Sequence, residues 1–352
     1  MIAEAYFLDA PAAPLARRDL SLDEPGAGEV LVEVAACGLC HTDLSFAGGA
    51  VSPRHPLPLV LGHEITGTVV AAGAGAEHLK GRRVMVPAVL PCGECAFCAA
   101  GRGNACPDQK MPGNDIHGGF ASHVLVPAGP LVTLDEIPPE ISLETLSVVS
   151  DAVATAYQAV LRSGLAEGDA AFVVGAGGVG GFLIQIAAAL GARVAACDVA
   201  AERLETAAAY GAEHVTNVTG KDPREVRKEL QGVAREWGVP SLAWRVFEAS
   251  GTAAGQLLAY SLLGPAATLV QVGYTFEKVN VRLSNLMAFD ATVHGTWGCP
   301  PEVFPEVLEL IYKGRVALDP FVDHAPMSRL NELLDDMAHH KLTRRMILHP
   351  GD

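Results

Sequence analysis

One segment, residues 170–198, limits the possible folds more than any other part of the chain. It reads AAFVVGAGGVGGFLIQIAAALGARVAACD. The run from Ala170 to Val174 predicts a buried strand, and the apolar stretch from Val179 to Leu190 predicts a helix. The residues that end at Asp198 predict a second strand. A strand, a helix and a strand in this order indicate a parallel sheet in an α/β domain.

The turn between the first strand and the helix fits the pattern G-x-G-x-x-G. Its residues are Gly175, Ala176, Gly177, Gly178, Val179 and Gly180. The glycines permit a tight turn and close approach of the backbone to a pyrophosphate, while the helix N-terminus faces the negative charge. Asp198 ends the second strand, where a carboxylate accepts hydrogen bonds from an adenosine ribose. We therefore predict a dinucleotide site that favours NAD over NADP.

Four of the eight cysteines lie within fifteen residues, in the stretch CGECAFCAAGRGNAC. They are Cys92, Cys95, Cys98 and Cys106. Four thiolates in a glycine-rich loop are typical of a closed tetrahedral zinc site, with an iron–sulfur cluster or a redox dithiol as alternatives. A closed site has no open coordination position, so this metal should organise the structure, and the chemistry must lie elsewhere.

A second set of possible ligands is spread over distant segments. Cys40 and His63, with Glu64 beside the histidine, combine one soft and one borderline ligand, as an open catalytic zinc site requires. Asp151, at the start of an apolar helical run, is the candidate for the third ligand. From the residues alone the alternatives stay open: His63 as a packed core residue and Asp151 as a helix N-cap.

Composition limits the class of protein. Half of the 352 residues are hydrophobic, which is enough for a core and roughly two domains. There is no uninterrupted run of about 18 apolar residues, so no membrane segment is expected. The formal charge of −15 argues against nucleic acid as a partner. The N-terminus lacks the basic and apolar regions of a secretory signal, and we expect a cytoplasmic protein.

The order of these motifs identifies a family. CHTD at 40–43, GHE at 62–64, the four-cysteine loop and the nucleotide-binding unit together resemble the zinc-dependent medium-chain alcohol dehydrogenases over nearly the whole chain. The resemblance implies an α/β fold with a GroES-like β-barrel catalytic domain and a Rossmann-type doubly wound parallel sheet. It implies residues 1–151 for the catalytic domain with the zinc lobe, 152–295 for the Rossmann domain, and 296–352 for the return to the catalytic domain. A homodimer or homotetramer is also implied.

The same resemblance implies roles for individual residues. Cys40, His63 and Asp151 would bind the catalytic zinc, and Glu64 could exchange as a ligand. Thr42 would take the alcohol proton, and Asp43 would hydrogen-bond the ring of His63. Several residues would contact NAD: His41 at the pyrophosphate, Arg203 at the adenosine end, and Thr155, Gly273 and Tyr274 at the nicotinamide.

One position departs from the family pattern. Many members have a histidine five residues after the catalytic cysteine that passes the proton to solvent, and this chain has Ser45 there. His55 could replace that histidine, or it could be an exposed loop residue. Cys37 is expected to be a small buried side chain without a metal role.

The substrate is indicated only by resemblance. Side chains that could line the pocket are Phe46, His55, Leu57, Asn114, His117 and Trp297. The stretches KMPGNDIHGGFASH and WGCPPE are similar to the 6-hydroxycyclohex-1-ene-1-carbonyl-CoA dehydrogenases of anaerobic benzoyl-CoA degradation. This likeness implies an alicyclic CoA thioester as substrate, with Arg54, or Arg82 and Arg83, available for the CoA phosphates. A general alcohol dehydrogenase acting on simple primary, secondary or aromatic alcohols, and a non-catalytic zinc- and nucleotide-binding protein, are the alternatives.

Overall fold

The computed structural model describes residues 1–351 and divides them into two compact units. The first unit contains residues 1–154, 298–306 and 321–352. The second contains residues 155–297 and 307–320.

Sixteen strands and ten α-helices make up the regular structure of the described residues. The strands are β1 Ile2–Leu8, β2 Ala16–Ser21, β3 Glu29–Gly38, β4 Leu59–Val60, β5 Glu64–Ala72, β6 Arg83–Val86, β7 His123–Pro127, β8 Val132–Thr133, β9 Ala170–Val174, β10 Arg193–Asp198, β11 His214–Asn217, β12 Trp244–Glu248, β13 Thr268–Gln271, β14 Thr292–Gly295, β15 Val322–Pro326 and β16 Arg345–His349. The α-helices are α1 His41–Ala47, α2 Ala96–Ala99, α3 Ala152–Ser163, α4 Gly178–Ala189, α5 Ala201–Ala209, α6 Pro223–Glu236, α7 Ala253–Ser261, α8 Ser284–Phe289, α9 Phe304–Tyr312 and α10 Leu330–Ala338.

The first unit is built on two sheets. One has the strand order β2-β1-β4, and the other has the order β15-β16-β3-β5-β6-β8, with β7 also paired to β3. The central strand β3 is almost entirely buried, because its EVLVEVAACG sequence carries apolar residues on both faces. A core that includes Leu8, Val32, Ile65 and Phe120 fills the unit. This core holds in place the end of β3, just before Cys40, and the start of β5, where His63 and Glu64 lie.

The second unit contains a parallel six-stranded sheet in the order β11-β10-β9-β12-β13-β14. Counted from β9, this is the doubly wound 3-2-1-4-5-6 order of dinucleotide-binding folds. The predicted strand, helix and strand are confirmed as β9, α4 and β10, and the helix begins one residue earlier than expected, at Gly178. The central part of α4 is buried because the helix is apolar around its circumference.

One part of the domain division differs from the expectation. The resemblance implies that all of 296–352 joins the first domain, whereas residues 307–320 group with the second unit. The physical reason is a set of hydrogen bonds to α4: the side chain of Gln185 donates to the Ala317 carbonyl at 3.1 Å and accepts from the Ala317 N–H at 2.8 Å.

Among residues 1–351, no helix is long and apolar enough to span a bilayer.

Candidate metal centres and nucleotide site

The four clustered cysteines converge in the structure. The Sγ–Sγ distances are 3.9 Å for Cys92–Cys98, 3.6 Å for Cys95–Cys98, 3.6 Å for Cys95–Cys106 and 3.5 Å for Cys92–Cys106. A tetrahedral zinc with Zn–S bonds of about 2.3 Å places its sulfurs roughly 3.8 Å apart. These four distances match one tetrahedral metal ion, and all four sulfurs lie within 4.8 Å of one another.

The local backbone favours a thiolate at Cys95. Cys95 is the N-cap of the short helix α2. A backbone hydrogen bond from Cys98 lowers the pKa of Cys95 to about 7. A thiolate, which a metal requires as ligand, is thus accessible near neutral pH.

A second group of ligand atoms comes together from separate segments of the first unit. One atom each from Cys40, His63, Glu64 and Asp151 lies within 4.8 Å of the others. Asp151 Oδ2 lies 3.7 Å from Cys40 Sγ and 3.6 Å from His63 Nε2. These three atoms are spaced as ligands of one ion, and the site fits the mixed donor set of a catalytic zinc.

Asp43 organises this second group. Its Oδ2 accepts a hydrogen bond from the Cys40 N–H at 3.0 Å, and its Oδ1 accepts one from the Gly62 N–H at 3.1 Å. The same Oδ1 lies 3.3 Å from His63 Nδ1. Asp43 is fully buried, so the imidazole of His63 presents Nε2 toward Cys40 and Asp151.

Glu64 is held by a buried arginine. Arg345 Nε donates to Glu64 Oε2 at 2.8 Å, Arg345 Nη2 also donates to the carboxylate, and Nη2 lies 3.7 Å from Asp151 Oδ2. Burial raises the pKa of Glu64 to about 7, although Arg345 opposes the shift. A Cβ at Gly38 would lie 2.0 Å from Glu64 Oε2, so a glycine is needed there to admit the carboxylate.

The acidic side chains of the second group favour a positive charge at its centre. Burial alone would lower the pKa of His63, but Asp43, Asp151 and Cys40 together raise it well above its ordinary range. Acidic ligands around a buried imidazole favour a cation at this position. A divalent metal ion would meet that requirement.

The nucleotide turn of the second unit has the geometry that its sequence predicts. Gly175 has φ +94°, and a Cβ there would lie 2.5 Å from the Ser250 nitrogen. A Cβ at Gly180 would lie 1.8 Å from the Gly175 carbonyl oxygen. Glycine is therefore required at both positions by the close packing of the turn, as the dinucleotide-binding pattern predicts.

Two residues predicted to contact the adenosine half of NAD lie next to this turn. Asp198 is buried and accepts from the Ala176 N–H at 2.7 Å and from the Ala200 N–H at 2.9 Å. Arg203 lies in the first turn of α5. Its Nη1 would be 3.6 Å from a Cβ added at Gly177. Both residues thus lie beside the glycine-rich turn, as a role at the adenosine end requires.

The remaining cofactor candidates are in separate elements. His41 and Thr42 form the first turn of α1, directly after Cys40. Thr155 is buried in α3, and Gly273 and Tyr274 follow β13 in the second unit. Ser45 donates its hydroxyl to the His41 carbonyl at 3.0 Å, so this side chain is bound to its own helix.

Three of the predicted pocket residues lie together in the first unit. The Asn114 carbonyl accepts from the His55 N–H at 2.7 Å, and the His55 and His117 rings are 5.0 Å apart. His117 Nδ1 accepts from the Val60 N–H at 3.2 Å, so the proton of the neutral ring is on Nε2. The stretch 54–60 is thereby fixed to the stretch 114–117.

The other pocket and CoA candidates are distributed differently. Phe46 is buried in the core of the first unit, and Leu57 packs against that core. Trp297 belongs to the second unit and is 51% exposed. Arg82 and Arg83 both bind Asp135, whereas the exposed Arg54 has a single ion pair, with Asp115 at 3.3 Å. Arg54 is therefore more available for an anionic group than the other two arginines.

Sequence reasoning did not identify Arg345. The residue begins an apolar strand, and a basic residue at such a position signals a buried acidic partner. Glu64 lies 281 positions away in the sequence, so the pairing could not be read locally.

Comparison with known proteins gives consistent matches over the chain. The family profile described as "Alcohol dehydrogenase GroES-like domain" matches residues 26–136, and the one described as "Zinc-binding dehydrogenase" matches residues 178–313.

Similar individual proteins span nearly the full length. An alcohol dehydrogenase of Geobacillus stearothermophilus is 30% identical over 95% of this chain and 96% of its own length. An NAD-dependent alcohol dehydrogenase of Sulfolobus acidocaldarius is 31% identical, again over 95% and 96%. The crystal structure of the alcohol dehydrogenase from Aeropyrum pernix superposes with a TM-score of 0.88 and 28% identity, covering 99% of this chain and 100% of that one. The expected combination of a GroES-like and a Rossmann-type fold is confirmed.

Proposed function

The chain belongs to the zinc-dependent medium-chain alcohol dehydrogenase family, and from this premise we propose that it oxidises a secondary alcohol to a ketone with NAD as acceptor. One observation carries the proposal most directly. Cys40, His63 and Asp151 converge on one point, and the buried Asp43 orients the imidazole. A non-catalytic zinc- and nucleotide-binding protein would have no need of such an oriented, mixed ligand set in addition to a closed four-cysteine site.

The proposed chemistry depends on groups that the two sites would hold. When bound, zinc at Cys40, His63 and Asp151 supplies Lewis acidity toward an alcohol oxygen, and NAD supplies the hydride acceptor. Asp43 keeps Nε2 of His63 available as a ligand atom. We assign Thr42, two residues after Cys40, as the hydroxyl that receives the alcohol proton. Asp198 and the 175–180 turn hold and orient the dinucleotide.

We assign the four-cysteine cluster a structural role with a second zinc ion. The compartment proposed is the cytoplasm, because none of the eight cysteines forms a disulfide and disulfides are rare in cytosolic proteins. In the second unit β14 is an outer strand of the sheet, and Phe276 and Met287, which precede it in the sequence, are 75% and 78% exposed. These features support a homodimer or homotetramer.

For the substrate we infer the alicyclic thioester 6-hydroxycyclohex-1-ene-1-carbonyl-CoA, giving the 6-oxo product. The inference rests on the motifs at 110–123 and 297–302. Arg54, beside His55 and Asn114, provides an exposed cationic side chain for a CoA phosphate. A general alcohol dehydrogenase acting on simple alcohols is the alternative, and the relatives support this broader activity.

A substrate panel distinguishes these two possibilities. NADH formation is followed by absorbance with the purified protein and either the thioester, ethanol, benzyl alcohol or cyclohexanol. Turnover of the thioester alone supports the specific assignment. Turnover of the simple alcohols with no reaction of the thioester leaves the dehydrogenase proposal in place and rejects the thioester.

A further inference from the structure

A buried glutamate joins the two turns that follow β12 and β13. Glu248 is the last residue of β12 and has no exposed surface. Its Oε1 accepts from the Ser250 N–H at 2.8 Å, the Ser250 hydroxyl at 2.5 Å and the Gly251 N–H at 3.2 Å. Its Oε2 accepts from Gln271 Nε2 at 2.6 Å. The carboxylate is thus held by neutral donors from two separate turns.

The backbone and side chains around Glu248 are closely packed. A Cβ at Gly273 would lie 2.3 Å from the Gly251 nitrogen and 2.7 Å from Glu248 Oε2. A Cβ at Gly255 would lie 1.9 Å from the Ser250 hydroxyl oxygen. Burying a carboxylate is costly unless each oxygen is satisfied, so this packing makes the geometry of the two turns depend on the carboxylate.

Gln271 extends this connection to a backbone carbonyl. Its Nε2 donates to Glu248 Oε2 and also to the Gly273 carbonyl, at 2.7 Å. The Gly273 N–H donates to the Glu248 carbonyl at 2.9 Å. Gly273 is therefore connected to Glu248 through both its N–H and its C=O, and a longer hydrogen bond from Gln256 Nε2, at 3.4 Å, also reaches the carbonyl.

The position of these turns relates them to one half of the dinucleotide. Asp198 at the end of β10 lies on one side of β9, and β12 and β13 lie on the other side. In a doubly wound sheet the dinucleotide lies across the carboxyl ends of the strands. With the adenosine ribose at Asp198 and the pyrophosphate at the glycine-rich turn, the nicotinamide half extends over the ends of β12 and β13.

We propose that Glu248, acting through Gln271, is a positioning residue for the nicotinamide half of NAD. It fixes the Gly273 carbonyl and the turn at Gly273–Tyr274, while the adenosine half is held independently by Asp198 and the 175–180 turn. The inference rests on the proposed function, since it requires NAD to bind this unit.

Substitution of Glu248 by glutamine shows how the connection works. The new amide N–H would face the amide N–H of Gln271, so the Gln271 amide must rotate to accept. Its oxygen then lies against the Gly273 carbonyl, which is repelled and keeps only the longer hydrogen bond from Gln256 Nε2 at 3.4 Å. The disturbance ends at Gly273 and does not pass through Asp198.

The test compares two ligands that share the adenosine half. Binding of NADH and of ADP-ribose, which lacks the nicotinamide, is measured by titration calorimetry with the full chain, wild type, E248Q and Q271L. We expect both variants to bind NADH about tenfold or more weakly, as loss of a charge-assisted hydrogen bond implies, with ADP-ribose affinity unchanged. The control E229Q makes the same chemical change on α6, beside β11 at the far edge of the sheet, and should alter neither affinity.

Other outcomes contradict the inference in distinct ways. Equal losses for NADH and ADP-ribose in Q271L would show a general structural role and overturn it, as would unchanged NADH affinity. If E248Q does not fold, Q271L still decides, because it keeps the carboxylate and its donors from residues 250–251. Failure of the wild type to bind either ligand would instead overturn the NAD assignment and the inference together.

Discussion

Arg345 and Glu64 form a buried ion pair across 281 positions of sequence, with Arg345 Nε 2.8 Å from Glu64 Oε2. The pair joins the start of β16 to the start of β5, next to His63. It also brings Arg345 Nη2 to 3.7 Å from Asp151. The pair thus links the C-terminal part of the chain to the proposed catalytic metal site.

Replacing Arg345 by methionine should destabilise the protein by about 3–5 kcal/mol at a pH above 7, because Glu64 must then stay a buried carboxylate without its partner or take up a proton. The double variant E64Q/R345M should recover part of this loss. Chemical denaturation of the two single variants and the double variant measures the coupling energy. Additive effects in this cycle would argue against the pair.

The stability of the metal-free protein should depend on the protonation of Glu64. Its pKa in the folded state is about 7 and its ordinary value is 4.5, so the folded state binds more protons than the unfolded state between these values. The contribution of Glu64 to stability is full below about pH 4.5 and is lost as the pH rises to about 7. Urea denaturation at several pH values should show this loss in the wild type relative to E64Q, and parallel curves for the two proteins would refute it.

Replacing Asp43 by asparagine should weaken zinc binding at the catalytic site by roughly 10–100-fold, as loss of an orienting carboxylate does in other zinc sites. The substitution preserves size but removes the charge beside His63 Nδ1. Competition with a chelator measures the affinity. Asp115→Asn, which alters a carboxylate outside the metal ligands, is the matched control and should leave zinc affinity unchanged.

The two metal centres should be separable by mutation. Cys106→Ser should reduce the zinc content from about two to about one per chain and lower the melting temperature, because the buried Cys106 completes the four-cysteine cluster. Cys40→Ser should also lose about one zinc, but with the fold retained. Metal analysis and thermal melts of both variants check this, and retention of both zinc ions in either one would count against the assignment.

Replacing Asp198 by alanine should lower the preference for NAD over NADP. The carboxylate would repel a 2′-phosphate, and its removal takes away that barrier together with the hydrogen bonds to the ribose. The ratio of kcat/KM for the two cofactors is the measurement. An unchanged ratio would show that Asp198 only supports the Ala176 and Ala200 backbone.

The parts of the structure that the sequence predicts well are those encoded by nearby residues. The unit from β9 to β10 is correct to within one residue because its apolar pattern and glycines lie in one segment. The cysteine cluster is likewise evident from spacing. The fold class follows from the order of the motifs along the chain.

Features that depend on distant partners could not be predicted. Arg345 meets Glu64 only through the pairing of β16 with β3 and of β3 with β5. Glu248 lies in no recognisable motif, and its role depends on a turn that lies more than twenty residues later. Phe46 is buried in α1 among the core residues of the first unit, where burial of an aromatic ring is favourable, and its place at a pocket wall stays a prediction.

The central claim is that Cys40, His63 and Asp151 hold the metal ion required for alcohol oxidation. The most direct test is the rate of NADH formation from NAD and a substrate of the panel, with wild type and Cys40→Ser both assayed in buffer that supplies zinc. The wild type should reduce NAD, and Cys40→Ser, still folded and with zinc in the four-cysteine cluster, should be slower by roughly a thousandfold. Undiminished turnover by Cys40→Ser would contradict the account.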